Sequence, residues 1–281
     1  MLNRLDAWLM HHPCNMALKG IRRFAVEFWF FGLKEARACL FAGLFFVAMF
    51  VIPRGGWWGI PRYDLLLVFA LLVQAAMLYG KLETWDEVKS ITLFHLVGFV
   101  LEVFKTSSSI QSWSYPDFAY TKLWGVPLFT GFMYAAVGSY VIQAWRLFDL
   151  RIKSHPPYFL ATLTAVAIYL NFFTHHYIGD YRWYIAAFAL GLYARTMVVF
   201  TPYDTPRQMP LLLAFVLIGF FIWLAENIST FVGIWQYPNQ IGVWSLVHLG
   251  KWSSWAFLVM MTFTIVANLK HIKHTIAVSK D

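Results

Sequence analysis

Leu211-Leu212-Leu213-Ala214-Phe215-Val216-Leu217-Ile218-Gly219-Phe220-Phe221-Ile222-Trp223-Leu224-Ala225-Glu226 carries no charge before its last residue. Extended to 209–228, the apolar stretch is long enough to cover about 30 Å as a helix, the thickness of a bilayer core. Working outward, similar stretches recur near 37–53, 63–81, 90–105, 126–147, 157–174, 183–202 and 243–269. Of the 281 residues 60% are hydrophobic, 20% aromatic and only 13% charged, about half the charge of a soluble domain. A chain of this size leaves too much surface in water to hide that composition in one soluble core. Soluble enzyme, disordered tail and nucleic-acid binder are excluded as primary readings. The fold class is an all-α polytopic membrane bundle of about eight helices.

The breakers agree with this reading, because Pro53, Gly55, Gly56, Pro61, Pro116, Pro156, Pro157, Pro202, Pro206, Pro210 and Pro238 fall at or between span ends. Sixteen of the 22 Lys and Arg residues fall on one side of such a bundle. The other six are Arg54, Arg62, Lys105, Lys122, Arg182 and Lys251. The positive-inside rule puts the sixteen in the cytoplasm, so both termini are inside and the number of spans is even. The net charge of +8 thereby reads as orientation and affinity for anionic headgroups. Residues 1–36 mix Trp8, Phe28, Trp29 and Phe31 with Lys and Arg, as in a helix lying in the interface or a cytoplasmic lead-in. Arg4, Lys19, Arg22 and Arg23 interrupt this segment, so it does not read as a cleavable signal. Cys14 and Cys39 make no disulfide framework.

An internal repeat organises the rest. Glu102-Val103-Phe104-Lys105-Thr106 is followed by Trp113-Ser114-Tyr115-Pro116, and Glu226-Asn227-Ile228-Ser229-Thr230 by Trp235-Gln236-Tyr237-Pro238. Each is Glu-x-x-x-Thr at a span end, then a loop, then Trp-x-Tyr-Pro. Two halves of four spans, 37–154 and 155–270, follow, and an even number gives both the same orientation. Residues 271–281 are a cytoplasmic tail.

The same motifs, with Val126-Pro127-Leu128-Phe129-Thr130-Gly131-Phe132-Met133-Tyr134, Asn171-Phe172-Phe173-Thr174-His175-His176 and Phe221-Ile222-Trp223-Leu224-Ala225-Glu226-Asn227, resemble the bacterial membrane family called Domain of Unknown Function 817. The resemblance covers roughly residues 80–270. It implies a bacterial inner-membrane protein and points to no particular reaction. A fainter similarity, carried by Gly125-Val126-Pro127 behind a span-end Glu, is to carotenoid-modifying membrane enzymes.

Ionisable residues within spans flag function. The paired Glu102 and Glu226 fit general acid–base chemistry on a lipid or isoprenoid, with Thr106 and Thr230 one turn beyond as hydrogen-bond partners. His95, Trp113, Tyr115, Trp235, Tyr237, His248 and Lys251 are the candidate substrate-binding residues. His175, His176 and Asp180 are candidate metal ligands, and no cofactor is required by the sequence. Snorkelling glutamates, duplicated helix packing and an interfacial histidine pair are the plain alternatives. A proton-coupled transporter is the rival function, although the broken helices of a midplane site are missing. A non-catalytic structural protein is the third. Membrane lipids are the expected partners, and the oligomeric state is open. Gly131 and Gly138, seven apart in the fourth stretch, favour close helix contact.

Overall fold

The computed structural model describes residues 4–12 and 18–278; Cys14 and residues 279–281 of the expected tail lie outside the described residues. The chain is mostly helical. In order come α1 (Arg4–Met10), α2 (Gly20–Ala38), α3 (Leu40–Val51), α4 (Arg62–Tyr79), α5 (Trp85–Thr106), α6 (Thr130–Leu147), α7 (Tyr158–Thr174), α8 (Arg182–Tyr193), α9 (Leu211–Phe231) and α10 (Gly250–Val278). Among the described residues, three helical segments are long and apolar enough to cross a membrane: Arg62–Tyr79, Leu211–Phe231 and Gly250–His271. Leu40–Val51 and Tyr158–Thr174 are apolar but shorter.

Several expected boundaries move. The stretch 183–202 does not continue as helix: α8 stops at Tyr193, and Met197–Phe200 forms a strand, β4, between β3 (Arg151–Lys153) and β5 (Arg207–Pro210). Val198 and Val199 favour the pleated chain, and Pro202 ends it. Residues 122–127 form a small hairpin of β1 (Lys122–Leu123) and β2 (Val126–Pro127), so α6 begins four residues later than expected. Residues 243–249 are irregular, and Lys251 therefore sits in the first turn of α10 instead of some turns into a span.

Helix α5 starts on a capping box, with Glu87 N–H donating to Thr84 Oγ1 at 3.3 Å and Thr84 N–H to Glu87 Oε2 at 2.7 Å. It lies along α6 as α9 lies along α10; α3 packs on α4 as α7 packs on α8; and α6 meets α10. The close helix contact expected at Gly131 and Gly138 is present, and the partner is α5. A Cβ on Gly131 would stand 2.5 Å from the His95 ring, and one on Gly138 would stand 2.2 Å from Phe94 Cδ2. Gly219 plays the same part for α9, where a Cβ would lie 2.6 Å from the Ala256 nitrogen.

At the end of the bundle away from the Trp-x-Tyr-Pro loops, buried ion pairs tie the N-terminal helices down. Arg37 grips Asp6 with two bonds of 2.8 and 3.1 Å, and Arg146 reaches Asp6 at 3.2 Å and Glu87 at 2.7 Å. Both guanidinium groups also donate to the Leu82 carbonyl. Beyond them α2 exposes Ile21, Phe24, Phe28 and Trp29, spaced as one face of a helix.

Candidate functional site

Glu102 and Glu226 occupy the last turns of α5 and α9, both almost wholly buried. Burying a carboxylate requires that hydrogen bonds replace its water. Around Glu102 three aromatic side chains do so: Trp113 Nε1 donates at 2.8 Å, Tyr115 OH at 2.9 Å and Tyr134 OH at 2.8 Å. Around Glu226, Tyr237 OH donates to Oε1 and Trp255 Nε1 donates to Oε2 at 2.8 Å. Each glutamate thus takes the tyrosine of its own Trp-x-Tyr-Pro motif and one aromatic residue from the following helix.

The loops reach back because their backbones are fastened. Ser112 N–H donates to the Lys105 carbonyl at 2.8 Å, and Ile234 N–H to the Ser229 carbonyl at 3.0 Å. The two motifs then meet. Ser114 and Gln236, the middle residues of their Trp-x-Tyr triplets, form an antiparallel bridge with bonds of 2.9 and 3.0 Å. Trp113 lies edge-on to Tyr237 with ring centroids 6.1 Å apart. Beneath that contact Lys251 Nζ stands 5.0 Å from the Trp113 ring centroid and 4.7 Å from that of Tyr237. From there it is in electrostatic reach of both carboxylates. One buried Glu–Lys–Glu cluster, walled by aromatic donors, is the result.

The start of α4 clamps both loops. Arg62 donates to the Val232 carbonyl at 2.9 Å, Tyr63 OH to the Ile234 carbonyl at 2.7 Å, and Asp64 accepts the backbone N–H of Tyr120 and Thr121 at 2.9 and 2.8 Å.

Other expected site residues stand elsewhere. The hydroxyls of Thr106 and Thr230 do not serve the glutamate side chains. Thr106 donates to the Glu102 backbone carbonyl at 2.8 Å and Thr230 to that of Asn227 at 3.1 Å, as helical hydroxyls commonly do. Thr230 also accepts from Trp244 Nε1 at 3.1 Å. Trp235 is buried, but Trp255 takes the place on Glu226 that Trp113 holds on Glu102. His95 lies lower on α5, its ring edge-on to Phe132 at 4.7 Å and not bonded to Glu102. His248 is exposed, and its Nδ1 accepts the Gly250 N–H at the start of α10.

The expected metal ligands do not assemble. Lys105 Nζ lies 2.7 Å from His176 Nε2 and 3.4 Å from His175 Nε2, so an ammonium occupies the point on which an ion would sit. The other nitrogen of His175 is spent on the Asn171 carbonyl at 2.7 Å. Asp180 is consumed by Arg182 and Asn171. Among the described residues no group of three His, Cys, Asp or Glu could hold a metal.

Burial, and then the Lys105 ammonium, push the His176 imidazole down to about 4. A histidine held neutral in the fold stabilises it fully above the unfolded value near 6.5, and that contribution falls as pH drops toward 4. Acidification across this window is expected to loosen the 175–181 loop by on the order of 1 kcal/mol, a small value because the ring is exposed. His176→Gln removes the titration, and hydrogen exchange of the loop at pH values bracketing the window reads it. Equal protection at both ends in the native chain refutes the assignment.

Residues 27–263, which include every residue of this cluster, match the family described as "Protein of unknown function (DUF817)". The chain belongs to this family. It is also 49% identical over 243 residues to the "Uncharacterized protein YoaT" of Bacillus subtilis (strain 168), covering 86% of this chain and 91% of that protein. No solved structure matches the chain. Two members of this cluster, Tyr134 and Trp255, are not marked by the Glu-x-x-x-Thr or Trp-x-Tyr-Pro motifs. Their signal was positional, since Tyr134 follows Tyr115 by nineteen residues and Trp255 follows Tyr237 by eighteen.

Proposed function

We propose that the protein is a multi-pass bacterial inner-membrane protein that binds and acts on a lipid or isoprenoid at Glu102 and Glu226. Helices α3 to α10 are the eight crossings, arranged as two like-oriented halves with both termini in the cytoplasm. The paired helix contacts support this arrangement, because α3 to α6 pack among themselves much as α7 to α10 do. So does the Ser114–Gln236 bridge, in which a residue pairs with its own repeat counterpart, as a two-fold axis between the halves requires. Helix α2 lies in the inner interface with Phe24, Phe28 and Trp29 toward the acyl chains, as its exposed apolar face suggests.

The observation that carries the reading is the Glu102–Lys251–Glu226 cluster at the junction of the halves. One carboxyl delivers its proton to a double bond of an apolar substrate. The opposite carboxylate removes a proton from the neighbouring carbon, so the bond shifts and the two acids exchange roles. Lys251 balances the remaining negative charge, and the aromatic wall keeps water out.

Mass spectrometry of everything that co-purifies in mild detergent tests this directly. One lipid or isoprenoid species is expected with the native chain and is lost in the Glu102→Gln, Glu226→Gln double variant. Bulk phospholipid alone in both samples ends the proposal.

Proton-coupled transport is the second reading, and Glu35 favours it. This carboxyl is buried at the opposite end of the bundle, hydrogen-bonded to Tyr140, and burial pushes it up to about 7. A protonatable group at each end is what alternating access to protons needs. Proton-driven uptake in vesicles, abolished by Glu35→Gln, distinguishes the two.

A further inference from the structure

The positive-inside rule leaves few cations at the end that carries the Trp-x-Tyr-Pro loops, and they are sorted into two groups. Lys105, Arg182 and Lys251 surround the histidine pair and the buried glutamates. Arg54, Arg62 and Lys122 are in electrostatic reach of a different group, the carboxylate of Asp117, without being bonded to it. With Asp64, which accepts the backbone N–H of Tyr120 and Thr121, the patch sets three cations against two carboxylates and keeps an excess positive charge.

Its polar atoms are not all used. Arg62 Nε and Asp117 Oδ2 are buried and have no hydrogen-bond partner among the described residues. Burial pushes the Asp117 carboxyl up from its ordinary value, while Arg62, Arg54 and Lys122 pull it back. Arg54 is exposed, and its guanidinium lies flat on Gly233, where a Cβ would come within 2.3 Å of Nη2. Lys122 Nζ donates to the Tyr115 carbonyl at 2.8 Å and sits over the Tyr63 ring.

Two hairpins flank the patch. Their tips read Trp57-Trp58-Gly59-Ile60 and Leu123-Trp124-Gly125-Val126, closed by the Trp57–Ile60 bridge and the Leu123–Val126 pair. In each, the tryptophan before the glycine has a left-handed backbone, with φ of 52° at both Trp58 and Trp124. That position of a two-residue turn favours Asn, Asp or Gly, and a bulky residue there is an outlier. Trp58 is 89% exposed and Trp124 74%, so beyond the Trp57 ring, whose centroid lies 5.7 Å from that of Trp58, little packing within the chain repays either conformation. The first hairpin runs directly into Arg62, and the second is held at its base by Asp64, so both frame the start of α4.

We propose that Arg54 and Lys122 bind the phosphodiester of a lipid headgroup whose free end carries a hydrogen-bond donor, with Asp117 accepting from that donor, Trp58 and Trp124 seated in the headgroup layer, and Arg62, whose terminal nitrogens are spent on the Val232 and Met49 carbonyls, adding only its charge from beneath. Cations and a phosphate pair by charge-assisted bonds, and indole rings settle at the depth of headgroups. The unpartnered Asp117 oxygen selects ethanolamine or glycerol headgroups over choline, which has no proton to donate. This assignment rests on the proposed orientation, but not on the chemistry of Glu102 and Glu226.

Native mass spectrometry of the full chain in mild detergent, titrated separately with phosphatidylglycerol, phosphatidylethanolamine and phosphatidylcholine of matched chains, tests it. One molecule of either of the first two is expected to bind about tenfold more tightly than phosphatidylcholine. The Arg54→Ala, Lys122→Ala double variant loses binding of all three. Asp117→Asn keeps binding but no longer separates choline from the others. Equal affinities in the native chain, or an unaltered double variant with the native unfolding temperature, overturn the proposal. Displacement of bound lipid by millimolar inorganic phosphate overturns the lipid source, leaving a free-phosphate site. A Glu102→Gln, Glu226→Gln chain keeps the lipid preference, which separates failure here from failure of the proposed reaction. Orientation is read independently: Trp58→Cys is labelled by an impermeant maleimide on intact spheroplasts, and labelling only after lysis overturns the outer-leaflet assignment.

Discussion

Glu102→Ala is expected to destabilise the protein by about 3–5 kcal/mol, the cost of breaking a buried charge network by deleting one partner. The substitution strands three donors at once. Trp113 Nε1, Tyr115 OH and Tyr134 OH all end on the Glu102 Oε atoms, and among the described residues no other acceptor is bonded to any of them. Each buried donor left unpaired costs about 1–3 kcal/mol, less than additively because water or a shifted loop reclaims some of them. Lys251 also loses one of its two counter-charges. The unfolding midpoint in detergent, followed by tryptophan fluorescence, should fall by roughly 10 °C. Glu102→Gln keeps one acceptor oxygen in place and should recover more than half of the loss while removing the charge. An alanine variant as stable as the native chain shows that the aromatic donors are not held by Glu102.

Glu226→Ala should cost less, because among the described residues only Tyr237 and Trp255 donate to it. The inequality checks the geometry: two variants identical by sequence motif are expected to differ in stability. The two copies of the motif have unlike neighbours, three aromatic donors at Glu102 and two at Glu226 among the described residues.

How far the sequence could be read follows from the same distinction. Apolar run length, breakers and the doubled motif depend on local chemistry, so the helices α4, α9 and α10 are legible, and so is the gathering of Glu102, Glu226, Trp113, Tyr115, Tyr237 and Lys251 at one end of the chain's helices. Which groups touch is a tertiary matter. Thr106 and Thr230 share a helix face with their glutamates, but a hydroxyl can turn to the carbonyl one turn back, and that local acceptor wins. His176 and Asp180 have ligand-like spacing, yet Lys105 arrives from a helix some seventy residues earlier and fills the position. Residues 197–200 are as apolar as any span, but apolarity alone does not separate a short strand from a helix end. Tyr134 and Trp255 could have been found only by aligning the halves beyond the motif itself.

Gly98→Ala carries the second large effect and joins packing to the site. A Cβ at residue 98 would lie 2.3 Å from Tyr134 Cγ and 2.5 Å from Tyr134 Cβ. Rotating the tyrosine cannot relieve the second contact, because its Cβ is fixed to the backbone of α6. The two helices must separate by on the order of 1 Å, an overpacking cost of about 1–3 kcal/mol. Tyr134 OH, bonded to Glu102 at 2.8 Å, then moves out of range. The expected result is a lower unfolding midpoint together with loss of the lipid proposed to co-purify, whereas Tyr134→Phe loses only the hydrogen bond and keeps the helix packing. The decisive comparison is Gly98→Ala in a Tyr134→Gly background. There the obstructing Cβ is gone, and alanine's higher helix propensity, worth about 1 kcal/mol, should make the same substitution stabilising. A reversal of sign establishes that residue 98 acts through Tyr134; the same destabilisation in both backgrounds places its effect elsewhere and detaches the α5–α6 contact from the site.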